Sequence, residues 1–251
     1  MFFLSIYIFI LGLTLGSFYN VVGLRVPQNQ SIVAPRSACP KCKHQLKPYE
    51  LIPVLSYMIQ GGKCRQCKVR ISPLYPFVEL LTGLLFVAAP LVLGWSAELF
   101  VAWALISLFM IIFVSDITYM IIPDKVLLVF MGIFLLERIF IPLNPWWDSL
   151  LGAAVSFFLL LFIAVISKGG MGGGDIKLFA LLGFALGVKM VLLSFFLATL
   201  YGALFGIIGL LIGKLKRKNP IPFGPFIAAG TLTAYFFGDQ IIYYYFLLFA
   251  Y

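Results

Sequence analysis

The chain has 251 residues, of which 63% are hydrophobic, 17% aromatic and only 11% charged, and its mean hydropathy is +1.08. A water-soluble domain of this length would be about a quarter charged and about half apolar, so the composition excludes one and leaves the surplus apolar residues to face lipid. The 18 Lys and Arg against 9 Asp and Glu give a net charge of +9, yet nine of the basic residues (Arg25, Arg36, Lys41, Lys43, Lys47, Lys63, Arg65, Lys68 and Arg70) share residues 25–73 with a single acid, Glu50. Such crowding is the mark of a cytoplasmic loop, and it accounts for the charge without nucleic acid.

A helix that crosses a hydrocarbon core of about 30 Å needs roughly 20 apolar residues. The first such run, 2–24, has no basic start and no small-residue cleavage site before the basic segment, so 1–24 is predicted to be a retained transmembrane helix rather than a signal peptide. Residues 25–73 follow as the basic loop. The runs 74–94, 98–120, 126–143 and 149–166 predict four more helices. The next run, 178–213, would be about 54 Å long as one helix, nearly twice the core, and Gly187 with Lys189 marks a break into two crossings. With two crossings, six helices separate the loop from the second basic cluster, Lys214, Lys216, Arg217 and Lys218, and both clusters fall on the cytoplasmic side; with one crossing they fall on opposite sides. The last run, 223–250, completes about eight helices, with both chain ends outside and Lys189 an exception to the charge rule. Its tail, with Gly238, Asp239 and Tyr243 to Tyr245, either finishes the helix or lies in the interface. The expected fold class is therefore an all-α polytopic membrane protein: a helix over 1–24, a small cytoplasmic loop domain over 25–73, and a transmembrane domain over 74–251.

All four cysteines lie in the basic loop, as Cys39-Pro-Lys-Cys42 and Cys64-Arg-Gln-Cys67. Two C-x2-C knuckles can complete a tetrahedral four-thiolate zinc site, and thiols on a cytoplasmic face stay reduced, which disfavours disulfides. Metal binding would supply folding energy to a segment too short and charged to bury much core. The single histidine, His44, is expected to be a solvated neighbour rather than a ligand.

One histidine, inside that loop, excludes Ser-His-Asp and Cys-His constellations and an HExxH metal site. The stretch Gly169-Gly-Met-Gly-Gly-Gly174 runs into Asp-Ile-Lys, so it is not a phosphate-binding P-loop. What remain are carboxylates in or beside apolar segments, which are costly and commonly functional. Glu137 has Arg138 beside it as a neutralising partner, and Glu79, near a helix start, would be cheap at the interface. Asp116 and Asp175 are different: the topology brings both to the cytoplasmic ends of separate helices, where they could share a proton as base and acid, the equipment of an aspartic protease. Asp175 would serve equally as a helix cap. A transporter or a zinc-loop scaffold is the rival reading; a transporter predicts mid-membrane acids and similar halves, and no internal repeat is visible.

Almost end to end, the chain resembles the type IV prepilin peptidases. The resemblance rests on Gly16-Ser-Phe-Tyr-Asn20 with Arg25 and Pro27, both cysteine knuckles, Ser72-Pro-Leu-Tyr75-Pro76-Phe-Val-Glu79 with Gly83, the Asp116 segment ending Ile122-Pro123-Asp124, and Gly172-Gly-Gly-Asp175-Ile-Lys177. It implies that Asp116 and Asp175 are the catalytic pair of an enzyme in the bacterial inner membrane. The implied substrate is a prepilin or pseudopilin, cut after a glycine on the cytoplasmic side of the bilayer. Gly172, Gly174, Lys177 and Asp124 would support substrate or loop. For many members it also implies N-methylation of the new terminus with S-adenosylmethionine, an activity associated with the zinc-bearing loop; Gly16, Ser17, Asn20 and Arg25 would support that activity or simply pack helices.

Overall fold

A computed structural model describes residues 2–168, 170–213 and 221–249; Gly169, the Lys214 to Lys218 cluster and the last two residues lie outside the described part. The long helices are α1 (Phe2–Arg25), α3 (Leu74–Leu93), α4 (Glu98–Tyr119), α5 (Asp124–Phe140), α6 (Asp148–Ile166), α7 (Gly173–Leu211) and α8 (Gly224–Phe249), with a short α2 (Leu55–Ile59) inside the basic loop. Five of them, α1, α3, α4, α6 and α7, are long and apolar enough to cross a membrane. The tail with Tyr243 to Tyr245 is part of α8, which settles the open choice between helix and interface.

Helix α7 is two helices. Gly187 has φ 78° and ψ 175°, a conformation that glycine alone adopts readily, and a side chain there would collide with Asp148. The first half starts at Asp175 beside Asp116, at the C-terminal end of α4, and reaches Ala185 at the opposite end of the bundle, beside Arg138. The second half returns: Lys189 pairs with Asp239 at 2.7 Å, and Gly202 packs on Phe223, next to Gly224, whose N–H reaches Asp116. The break expected at Gly187 is thus a reversal, and among the described residues eight helical segments traverse the bundle. Lys189, the exception to the charge rule, is neutralised by Asp239.

The reversal is fixed from both sides. The Nε of Arg138 donates to the Ala185 carbonyl at 2.7 Å, an acceptor orphaned by the break, and Asp148 Oδ1 accepts from the Val188 N–H at 3.3 Å. The Nη1 of Arg138 donates to Glu98 Oε1 at 2.9 Å, and the Tyr235 hydroxyl donates to Glu98 Oε2 at 2.8 Å, so one polar cluster joins α4, α5, α7 and α8. The Arg138 charge lies beside Glu137, as expected, but its hydrogen-bonded carboxylate is Glu98. Adjacent residues on a helix point to different faces, and the partner of Arg138 comes from the N-terminus of α4 instead.

Helix α4 is apolar all round and buried along most of its length, as the centre of a bundle must be. Small residues let the others approach: Gly12 and Gly16 of α1, four apart, face Gly83 and Glu79 of α3, where an added Cβ would sit 2.8 Å from either Cα. Gly152 and Gly183 form a similar crossing of α6 and α7. Gly23 of α1 touches Val114, two residues before Asp116, so the basic loop leaves α1 at the end of the bundle that holds both aspartates.

Candidate active site

Asp116 lies one turn before the end of α4 and is 6% exposed. The helix stops at Met120, whose left-handed φ of 55° returns its N–H to the Asp116 carbonyl at 2.8 Å. The chain then runs extended through Ile122 and Pro123, and α5 opens at Asp124. Lys177, two residues after Asp175, holds both oxygens of Asp124 at 2.7 and 2.9 Å, tying the starts of α5 and α7 together. Ile122 fills the remaining gap against Gly174, where a Cβ would lie 3.0 Å from its own. Together these contacts bring Asp175, in the first turn of α7, within electrostatic reach of Asp116.

The glycine-rich stretch is shorter as a loop than the sequence suggests. Gly172 is the N-cap of α7, while Gly173 and Gly174 already belong to its first turn. An added side chain would meet Asp175 Oδ2 at 3.2 Å from Gly172 and nothing within 4 Å from Gly173, so the backbone beside Asp175 is open to an approaching chain.

One partner of the pair was not foreseen. The backbone N–H of Gly224, the first residue of α8, donates to Asp116 Oδ2 at 2.6 Å. A Cβ at this position would sit 2.8 Å from that oxygen and 3.0 Å from Ile112, so any side chain here must displace the carboxylate. Its signal was a Gly-Pro pair opening a helix in Pro222-Phe-Gly-Pro225. Two carboxylates on separate helices, one held by a backbone N–H, can divide acid and base roles between them.

At the same end, the loop gathers its four thiols. All four sulfurs lie within 4.8 Å of one another, with Cys39 to Cys67 at 3.7 Å and Cys42 to Cys64 at 3.9 Å. Four metal–sulfur bonds of about 2.3 Å in a tetrahedron require sulfurs about 3.8 Å apart, so the cluster fits a metal ion. The two knuckles are built alike. The N–H groups of Cys39 and Cys64 donate to His44 and Val69 at 2.9 and 2.8 Å, and those of Lys43 and Lys68 return to Cys39 and Cys64 at 3.0 Å, both lysines having positive φ. Backbone N–H groups, that of Cys42 first, hold the Cys39 thiol below its ordinary range, while, against the His44 N–H, burial and the neighbouring thiols push the Cys42 thiol up, as expected of four sulfurs crowded together. His44 is not simply solvated: its Nε2 lies 3.1 Å from Glu50 Oε2. The Lys47 N–H, with His44 second, keeps the Glu50 carboxyl below the usual range.

Glu79 lies at the loop end of the bundle, but packed inside the protein rather than open to solvent. It is 8% exposed, and its Oε2 accepts from the Val54 N–H at 2.8 Å, pinning the loop to the second turn of α3.

An all-helical bundle with paired carboxylates at one end and a four-thiolate cluster beside them defines a multi-pass membrane protein with acid–base equipment. Residues 10–93 match the bacterial peptidase A24 N-terminal domain, and residues 103–207 match the type IV leader peptidase family. The chain is 51% identical to a "Prepilin leader peptidase/N-methyltransferase" of Bacillus subtilis, over 95% of this chain and 96% of that protein. It is 36% identical to a protein of the same name from Pseudomonas aeruginosa, over 92% and 90%. No solved structure matches the chain. The chain belongs to the type IV leader peptidase family.

Proposed function

We propose that the protein is a prepilin leader peptidase that uses Asp116 and Asp175 as an aspartic endopeptidase at the cytoplasmic face of the bacterial inner membrane, and that it then N-methylates the terminus it exposes. The observation that carries this reading is that Asp116 and Asp175, on separate helices, come within electrostatic reach of each other at the end of the bundle from which the basic loop emerges. Basic loops stay in the cytoplasm, so the shared end supports a cytoplasmic site. Acids at one end, rather than at mid-depth, disfavour a transporter.

In the reaction, the charged member of the pair takes a proton from a water molecule as its oxygen attacks the scissile carbonyl. The protonated member donates to the carbonyl oxygen, and collapse of the tetrahedral intermediate returns a proton to the leaving amine. A prepilin or pseudopilin suits this place, because its apolar helix can stay in the bilayer while the bond before it reaches the boundary. Gly224 fixes one oxygen of Asp116, the bare backbone at Gly173 leaves room for extended substrate, and the Lys177–Asp124 pair keeps α5 and α7 in register.

The four thiolates suit zinc, which four sulfur ligands select and which would order the loop without taking part in hydrolysis. S-adenosylmethionine would supply an electrophilic methyl group for the second activity. The decisive experiment is cleavage of a prepilin by Asp116→Asn and Asp175→Asn in membranes. Each is expected to lose at least about 10^3-fold in rate while staying inserted and folded. Cleavage at the normal rate by either folded variant defeats the assignment.

A further inference from the structure

Where the seam of α1 and α3 meets the basic loop, polar side chains are buried and, among the described residues, face no cation. Asn20 is 3% exposed; its amide N–H donates to the Tyr75 carbonyl at 3.1 Å, and its Oδ1 is buried without a hydrogen-bond partner. Glu79 accepts from the Val54 N–H at 2.8 Å and has the Ser17 hydroxyl nearby, both neutral donors, and no Lys or Arg among the described residues pairs with it. An orphaned buried acceptor costs about 1–3 kcal/mol, and a buried carboxylate without a counter-charge costs more. Packing does not explain the charge, because a glutamine would hold Val54 and Ser17 as well. The loop is also held in an unfavourable form to cover this spot: Val54, a β-branched residue, has φ 59° and ψ −50°.

The two deficits are of one kind, and they are close. Gly16 touches Glu79, Asn20 is one turn further along α1, and Tyr75 is one turn back along α3, so about 6 Å of helix rise separates the two levels. An orphan acceptor and an uncompensated carboxylate together ask for a cation that carries several N–H donors. Tyr75 also lies within electrostatic reach of Tyr119, three residues beyond Asp116, so this seam and the aspartates share one end of the bundle.

We propose that Glu79 and Asn20 bind the primary ammonium of a peptide N-terminus and hold it for methylation. The inference rests on the peptidase reading for the source of that amine. The ammonium gives one proton to the Glu79 carboxylate, and the freed lone pair on nitrogen attacks the methyl carbon of a sulfonium donor. The carbon–sulfur bond breaks with its electron pair going to sulfur, leaving a secondary ammonium and a neutral thioether, and Glu79 releases its proton to water when the product departs.

The test compares wild type, Glu79→Gln and Asn20→Ala in nanodiscs, reading prepilin cleavage, the mass of the mature N-terminus, and affinity for a peptide of the mature N-terminal sequence against its N-acetylated form. Wild type is expected to prefer the free amine by about 10- to 100-fold, the yield of charge-assisted hydrogen bonds. Glu79→Gln is expected to cleave, to leave the product unmethylated, and to bring that preference to within about twofold. Methylation at the wild-type rate by Glu79→Gln, or an intact amine preference, overturns the proposal. If Glu79→Gln does not fold, Asn20→Ala decides: unchanged amine preference and unchanged methylation defeat the pocket. If wild type does not cleave prepilin, the peptidase reading fails, while the two peptide affinities still judge the pocket.

Discussion

The two ends of this bundle treat their carboxylates in opposite ways. At the end away from the basic loop, Glu98 is matched by Arg138, and Asp239 by Lys189; Glu137 Oε2 is buried without a hydrogen bond but has the Arg138 charge beside it. At the loop end, Asp116, Asp175 and Glu79 meet backbone N–H groups or a hydroxyl but, among the described residues, no cation. Four thiols add a second group of anions in waiting. Paired charges at depth fix geometry, whereas unpaired ones are poised to receive a proton, a metal ion or a cationic group. Among the described residues the exceptions are Asp148, held at the far end by the Val188 N–H, and at the loop end the His44–Glu50 contact and the exposed pair Lys177–Asp124, which joins two helix ends.

This contrast can be broken at several points. Metal removal should have the largest effect, since apparent binding energies of four-ligand structural sites reach about 10–16 kcal/mol. Chelation, or Cys39→Ser with Cys42→Ser, is expected to remove one zinc per chain and to make amide exchange fast across 25–73 while the helices stay protected. Equal, negligible zinc in wild type and variant would end that claim. Next is Arg138→Met, which leaves the Ala185 carbonyl without its donor and Glu98 with the Tyr235 hydroxyl alone, and is expected to cost about 1–3 kcal/mol in thermal unfolding. Adding Glu98→Gln should recover part of that loss; no recovery would mean that the two residues do not act as a pair.

At the loop end, chemistry should suffer before stability. Gly224→Ala pushes a methyl group against Asp116 and is expected to lower kcat for cleavage by about 10- to 100-fold, with a melting temperature close to wild type. A variant that cleaves normally would show that this contact does not position the carboxylate. Smallest is Lys177→Met: an exposed pair contributes at most about 1 kcal/mol, so cleavage should stay within a few-fold of wild type. A complete loss would move Lys177 from support into the reaction itself.

Much of the plan was legible because it rests on one-dimensional quantities. Apolar run length placed every long helix to within a few residues, and charge asymmetry put the basic loop and both aspartates at one end. The spacing of Cys39, Cys42, Cys64 and Cys67 was enough to pose a four-thiolate cluster, because each knuckle is a local turn. Gly187 was read as a break from length alone, and the structure adds that it is a reversal capped by Arg138 and Asp148.

What failed were statements about partners. Arg138 was read only as the neighbour of Glu137, yet the carboxylate it hydrogen-bonds, Glu98, is 40 residues away in sequence. For Glu79 the helix start gave a position and no partner, and the structure supplies the Val54 N–H, 25 residues away in sequence. The grip of Gly224 on Asp116 spans 108 residues and left only a Gly-Pro helix start as a trace. Composition, run length and short-range spacing decided that this is a multi-pass membrane protein with a cysteine-bearing loop, because insertion into lipid and local turns depend on residues close in sequence. Which carboxylate is matched and which is left open was decided by the tertiary structure alone, because a buried charge is compensated by whatever the packed helices bring to it.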